Sequence, residues 1–294
     1  MFTLAHLSDP HLGPLPRANV RELSGKRAIG FINWHRRRKT FHRGDILEQI
    51  LQDLKSHRPD HVAVTGDLVN LALPAEFAPA LQWLRRVGDP KDVTIVPGNH
   101  DLYVRTAMHD PHTHWGEYML CDSGGHFPFV RRRGPLALVG LSSAIPTAPF
   151  MATGRVGASQ LARLASLLTQ LADESRFRVV LIHHPPMRTR GDRFKRLIDS
   201  AALRAVLAER GAELVLHGHD HVHSVRFLDG ANGRIPVVGV PSASSRGGEA
   251  SDPAAYHLYR IDGAPGAWRC EAVTRGLRRG LDGVGEIAKR VLIG

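Results

Sequence analysis

An α/β fold is predicted for this chain of 294 residues by three features. Short apolar segments alternate with amphipathic ones from Phe2 to Leu216, the rhythm of strands joined by helices. From Val222 to Thr274 the segments become short and β-like between glycine-rich turns, which predicts a second sheet. Hydrophobic residues make up 43% and charged residues 23%, a balance that suits a globular protein whose single domain spans 1–294 and leaves little room for disorder.

In chain order, the first strand is read at Phe2 to Ser8, with Asp9-Pro10-His11 at its end. A basic insert, 17–43, then breaks the rhythm, its arginines and lysines interleaved with Ile29, Phe31, Ile32, Trp34 and Phe41. The alternation resumes as a helix from Asp45 to His57, a strand His61 to Thr65, a helix Pro74 to Val87 and a strand Val93 to Val96. A strand Leu136 to Leu141, a helix Ala158 to Leu171, a strand Arg178 to Ile182, a helix Asp199 to Glu209 and a strand Glu213 to Leu216 follow. The β-like segments are Ser224 to Leu228, Ile235 to Val240, Tyr256 to Ile261 and Trp268 to Val273, with turns such as Asp229-Gly230 between them. Neither a repeat nor a low-complexity linker divides the chain.

The formal charge of +11 predicts a surface that attracts anions, although an arginine-rich composition alone produces the same sign. Cys121 and Cys270 stand far apart and outside any metal-ligand spacing, which predicts neither a disulfide framework nor a zinc–cysteine site. The residues from Met1 to Ser8 lack a basic region followed by an apolar run, and no stretch approaches a bilayer span. A cytoplasmic location is the simplest expectation.

Five clusters follow predicted strands: Asp9-Pro10-His11, Gly66-Asp67-Leu68-Val69-Asn70, Gly98-Asn99-His100-Asp101, His183-His184-Pro185-Pro186 and His217-Gly218-His219-Asp220-His221. In an α/β sheet the carboxyl ends of strands converge on one rim, so these residues can meet there. Carboxylate, amide oxygen and imidazole without thiolate suit Mn²⁺, Fe²⁺ or Zn²⁺. Taken singly, each cluster has an ordinary reading: Asp9-Pro10-His11 as a solvated strand end, Gly98-Asn99-His100-Asp101 as a turn. Only the ordered set overturns those readings.

That set resembles the calcineurin-like metallophosphoesterase superfamily, whose pattern is D-x-H, G-D-x-x-[DN], G-N-H-[DE], a His block and G-H-x-H. All five blocks stand between Asp9 and His221. The resemblance implies the metallo-dependent phosphatase fold, a four-layer α/β/β/α sandwich of two facing mixed sheets with helices outside. It also implies two divalent metal ions, one held by Asp9, His11 and His221 and the other by Asn99, His183 and His219, with Asp67 bridging. His100 would donate a proton to the leaving oxygen, Asp101 would orient it, and Asn70 would support the ligands from behind. The choice of His183 over His184 rests on alignment alone. Two such cations would activate a shared water for in-line attack on a phosphate ester.

Within the superfamily, Leu71-Ala72 stand where protein serine/threonine phosphatases carry a phosphate-gripping arginine, and Asn70 stands where purple acid phosphatases carry a tyrosine ligand; both branches are disfavoured. The cap of the DNA-repair nucleases barely fits in this length. Two branches stay open: class III cyclic-nucleotide phosphodiesterases, from the His183-His184-Pro185-Pro186 block and the size, and UDP-diacylglucosamine diphosphatases, from His217-Gly218-His219-Asp220-His221. The expected substrate is a phosphorylated small molecule. The insert 17–43 is either a lid over the rim or a peripheral contact with an anionic membrane at its inner face. A nucleic-acid-binding module is disfavoured, since neither an aromatic platform nor a helix-turn-helix pattern is apparent.

Overall fold

The computed structural model describes residues 1–122, 124–125, 127–187, 193–278 and 283–294. The strands are β1 (Phe2–Leu7), β2 (His61–Val64), β3 (Val93–Ile95), β4 (Phe129–Arg133), β5 (Leu136–Gly140), β6 (Phe177–Leu181), β7 (Leu214–His217), β8 (Ser224–Gly230), β9 (Gly233–Gly239), β10 (Arg246–Gly248), β11 (Ser251–Pro253), β12 (Ala255–Asp262), β13 (Arg269–Leu277) and β14 (Val284–Ile293). The α-helices are α1 (Lys26–Asn33), α2 (Lys39–Phe41), α3 (Gly44–Ser56), α4 (Pro74–Val87), α5 (Asp110–Trp115), α6 (Ala158–Asp173) and α7 (Ser200–Arg210), and a π-helical turn, Trp34–Arg38, joins α1 to α2.

Two six-stranded sheets form, in the orders β14-β13-β12-β1-β2-β3 and β4-β5-β6-β7-β9-β8. The first is antiparallel from β14 to β1 and parallel from β1 to β3, whereas the second is parallel from β5 to β9 and antiparallel at both edges. Strand alternation sends Leu138, Val179, Leu181, Leu214 and Leu216 into a core shared with Leu4, Val64, Leu54 and Phe77. Their neighbours Val139, Val180 and Val215 point the other way, to Leu164 and Leu168 of α6 and Leu203 and Leu207 of α7. Both faces of these strands are therefore covered, the reason they read as continuous apolar runs. The layers are α6 and α7, one sheet, the other sheet, then α3 and α4: the four-layer sandwich expected.

The late β-like segments do not make a sheet of their own. β8 and β9 extend the sheet of β5 to β7, whereas β12 pairs antiparallel with β1. Two strands escaped the pattern. β4 turns from Phe129 to three arginines, of which Arg131 is buried and donates to the carbonyls of Val93, Tyr118 and Pro90. β14 is an edge strand exposed along most of its length, so apolar alternation is absent from it. Among the described residues no helix is long and apolar enough to cross a membrane.

The insert is a folded element fastened at both ends. Arg27 donates to the carbonyls of Leu71 and Ala72, Trp34 is buried, and His42 bonds Ser244 Oγ through Nδ1 at 2.9 Å. At Gly30 an added Cβ would run into Leu71 and the Tyr103 hydroxyl, so only glycine lets α1 lie this close to the loop after β2.

Candidate active site

The clusters stand where the central strands end: Asp9 and His11 after β1, Asp67 after β2, Asn99, His100 and Asp101 after β3, His183 after β6, His219 and His221 after β7. Five of these residues hold left-handed backbone, with φ of 52° at Asp9, 41° at His11, 58° at Asp67, 70° at His219 and 55° at His221. That conformation costs a side-chain-bearing residue about 1 kcal/mol or more and collects at functional sites. Here it turns each side chain sharply inward from its strand. At Gly218 a Cβ would strike Ser8 Oγ and Asp9 Oδ2.

Two groups of donors converge. Nε2 of His11 and Nε2 of His221 are 3.3 Å apart, and Asp9 Oδ1 lies 3.1 Å from the latter. Opposite them, Nε2 of His183 lies 3.2 Å from Asn99 Oδ1 and 3.2 Å from His219 Nδ1. Asp67 Oδ2 stands between the groups, 3.7 Å from His11 Nε2 and 3.4 Å from His183 Nε2. His183 Nδ1 is fixed by the carbonyl of Thr65 at 2.6 Å. His184 faces elsewhere, its Nδ1 on Ser143 Oγ at 2.8 Å and its Nε2 on the Ala152 carbonyl at 3.2 Å. His184 nonetheless offers a ring nitrogen within 4.8 Å of ligand atoms of His183 and His219.

Burial, joined by neighbouring cationic groups, holds the pKa values of His11 and His219 well below the ordinary histidine range, which keeps them in the neutral form that binds metal. Burial opposes ionisation of Asp67, but His183 and His100 outweigh it and hold its pKa low. Burial opposes protonation of His183, but Asp67 and Asp9 push its pKa up to about 10, so a cation bound there would displace that proton; imidazole nitrogens, carboxylate oxygens and an amide oxygen within reach of one another fit a hard or borderline divalent cation.

One expectation needs correction. Asp101 does not orient the His100 ring: its carboxylate accepts backbone N–H bonds from Gly98, Asp67, Leu68 and Val69 at 2.8–3.2 Å, tying the β2 loop to the β3 loop. Burial and the charge of Asp67 push its pKa up to about 7. His100 instead donates from Nδ1 to the Asn70 carbonyl at 2.5 Å and stacks on Tyr103 with centroids 5.2 Å apart. Asn70, expected behind the ligands, is there, its amide on the Leu12 carbonyl and its backbone N–H on Glu76.

Sequence reasoning missed two residues, both from the insert. His42 is buried with its ring 4.4 Å from that of His11, and Arg38 lies within 3.3 Å of ring nitrogens of both His11 and His100. Neither belongs to a strand-end cluster; a charged residue one turn from Trp34 was the only available signal. With Lys26, Arg37 and Arg204 they help line a cavity of about 1010 Å³ over the strand ends.

The fold and the donor set together define a metal-dependent phosphoesterase. The family model of calcineurin-like phosphoesterases matches residues 2–223, and the chain belongs to that family. It is 24% identical over 231 residues to a probable cyclic nucleotide phosphodiesterase of Synechococcus sp., across 76% of this chain and 79% of that one. Among solved structures, a dimetal phosphatase from Danio rerio superimposes with a TM-score of 0.64 at 13% identity, covering 99% of this chain and 98% of the other. The yellow lupin (Lupinus luteus) purple acid phosphatase PPD1 does so with a TM-score of 0.57 at 13% identity, over 98% of this chain and 53% of its own. Those two likenesses are of fold. Family membership makes the chain a hydrolase of phosphoric esters that works with divalent metal.

Proposed function

We propose that this chain hydrolyses a small phosphodiester, a cyclic nucleotide or a similar compound, at a binuclear metal centre. The observation that carries the reading is the position of Asp67 Oδ2, one carboxylate oxygen within 3.7 Å of both histidine groups. Asp9, His11 and His221 would hold one cation, Asn99, His183 and His219 the other, and Asp67 both. Manganese, iron and zinc all suit these donors. When bound, such a pair lowers the pKa of water and withdraws charge from phosphoryl oxygens.

The remaining work falls to the protein. His100, committed through Nδ1 to the Asn70 carbonyl, has only Nε2 to offer the departing oxygen. Burial and Arg38 push its pKa down to about 3; the free imidazole is neutral, so its proton is taken up together with an anionic substrate that offsets Arg38. Asp101 keeps the loops bearing Asp67 and Asn99 at fixed separation. The likeness to the Synechococcus protein, in name a phosphodiesterase of cyclic nucleotides, supports the substrate class.

The test is hydrolysis of bis-p-nitrophenyl phosphate by the full chain after chelation and Mn²⁺ re-addition, beside Asn99→Ala. Activity restored by Mn²⁺ and lost in Asn99→Ala is the expected result. Absence of turnover with every divalent metal, for this substrate and for cyclic nucleotides, overturns the reading.

A second reading is favoured by one observation. Beside the cavity mouth Ile29, Ile32 and Phe150 are 37%, 51% and 83% exposed, and with Arg36 and Arg37 they line an adjoining hollow of about 430 Å³. Apolar side chains among arginines suit an anionic lipid surface, and hence a diphosphatase acting on a nucleotide-linked lipid such as UDP-diacylglucosamine. Sedimentation with phosphatidylglycerol vesicles, lost when Arg36 to Lys39 are made neutral, is expected on this reading; no vesicle binding by the intact protein eliminates it.

A further inference from the structure

Arg38 makes an arrangement that family membership does not explain. Its Nη1 is 3.3 Å from Nδ1 and 3.0 Å from Nε2 of His100, and its Nη2 is 3.2 Å from Nδ1 and 3.1 Å from Nε2 of His11. A nitrogen nearly equidistant from both nitrogens of an imidazole cannot lie in the ring plane without striking the carbon between them. It lies over the ring face. Each end of the guanidinium therefore meets one imidazole face, Nη1 on His100 and Nη2 on His11, two rings that stand edge to face at 88°. Among the described residues it has neither a carboxylate partner nor a carbonyl acceptor.

The fold holds it there. The π-helical turn Trp34–Arg38 places Arg38 one turn beyond Trp34, whose ring is buried beneath the insert, and such turns often carry functional side chains. Arg27 and His42 fasten the segment on either side. A cation beside a cluster that itself gathers cations is repelled by them unless an anion lies between. The site thus has a guanidinium whose recorded contacts are imidazole faces, with neither carboxylate nor carbonyl taking it among the described residues, beside the atoms where a phosphoryl group would react.

We infer that Arg38 is the phosphoryl-binding residue of this site, a guanidinium fork supplied by the insert that takes two oxygens of the substrate phosphoryl group while held against the rings of His11 and His100. The inference rests on the binuclear phosphodiesterase reading for its substrate, a tetrahedral phosphoryl anion, but its geometry is independent of which ester is cleaved. It also assigns the insert a task, since the segment delivers a substrate contact as well as covering the rim.

The experiment compares wild type with Arg38→Gln and Arg38→Lys, using inorganic phosphate and Mn²⁺ as separate calorimetric titrants. Phosphate should bind metal-free Arg38→Gln at least tenfold more weakly than wild type. Mn²⁺ should bind that variant as tightly or more tightly, because a repelling charge has gone. In wild type, phosphate and Mn²⁺ should raise each other's affinity by the same factor, and Arg38→Gln should lose that coupling. Arg38→Lys keeps the charge but not the fork and should fall between. For bis-p-nitrophenyl phosphate, kcat/KM should drop about 100-fold in Arg38→Gln and remain within twofold of wild type in Arg85→Gln, an exposed control on α4. A merely structural arginine would weaken Mn²⁺ binding along with phosphate, and that result, or phosphate affinity unchanged in Arg38→Gln, overturns the inference. If Arg38→Gln does not fold, unaltered phosphate affinity in Arg38→Lys overturns it equally. Wild type lacking Mn²⁺-dependent turnover would remove the phosphodiesterase reading alone, since the binding measurements decide Arg38 without it.

Discussion

The carboxylate of Asp101 accepts the backbone N–H of Asp67 at 2.8 Å, so a residue expected to address a neighbouring imidazole instead sets the position of Asp67. The same side chain takes three further N–H groups, and hydrogen bonds to a charged acceptor are worth about 1.5–3 kcal/mol each when one partner is removed. Asp101→Asn turns an amide NH₂ toward these donors. Metal content by elemental analysis should fall, and activity should decline by about 10–100-fold, the usual penalty for losing a group that orients ligands. Full metal occupancy with unchanged activity would contradict the role.

Gly218 allows the loop after β7 to touch Ser8 and Asp9, and any Cβ there meets both side chains. Gly218→Ala should displace Asp9 or His219, whose backbone N–H donates to Asp9 Oδ2 at 3.0 Å. The expected outcome is a loss of about 1–3 kcal/mol in urea unfolding together with weakened Mn²⁺ binding. A variant of wild-type stability and metal affinity would show that the loop has room to move.

Metal should stabilise the fold, because the donors come from five strand ends of two sheets and meet only when the chain is folded. At a free concentration 100 times the dissociation constant, one bound cation adds about 2.7 kcal/mol. Thermal unfolding followed with and without Mn²⁺ should show this increase in wild type. Asp9→Asn should show a smaller one, and an identical rise in both proteins would place the metal elsewhere.

A pH dependence unconnected with the site is expected from His61. Its Nε2 bonds Thr94 Oγ1 at 2.7 Å within the first sheet, and burial, then Arg131, push its pKa down to about 3. The unfolded chain takes up this proton near 6.5 and the folded chain only near 3, so between those values the unfolded state binds more protons. Stability is fully present above the unfolded value and is lost as pH falls through it. Urea unfolding should register of order 1–2 kcal/mol less stability at pH 5 than at pH 7 from this residue, and His61→Gln should flatten the slope. A slope unchanged in His61→Gln would assign the loss to other buried histidines.

How far the site could be read from sequence depended on whether a residue sits in a local pattern. Asp9, His11, Asp67, Asn99, His183, His219 and His221 are each placed by a strand end and a tight turn, and both are written locally, in apolar runs and in glycines such as Gly66 and Gly218. Arg38 and His42 meet His11 from 27 and 31 residues farther along the chain, on an insert held by carbonyls of Leu71 and Ala72 and by Ser244. Those contacts are long-range and leave no periodic trace. Likewise β14 pairs along an exposed edge through backbone hydrogen bonds, which any side-chain sequence permits.

By itself, then, the sequence determined the family, the alternation of strands and helices, and which side chains gather at the strand ends, because a strand's carboxyl end and its turn are specified within a few residues. Only the tertiary structure decided that β12 joins β1 while β8 and β9 join the other sheet, that His183 meets Asn99 while His184 bonds Ser143, that Asp101 braces the loops, and that Arg38 lies over His11 and His100. Each of these depends on which distant backbone or ring comes within about 3 Å, and that follows from packing two sheets and an insert around a shared core.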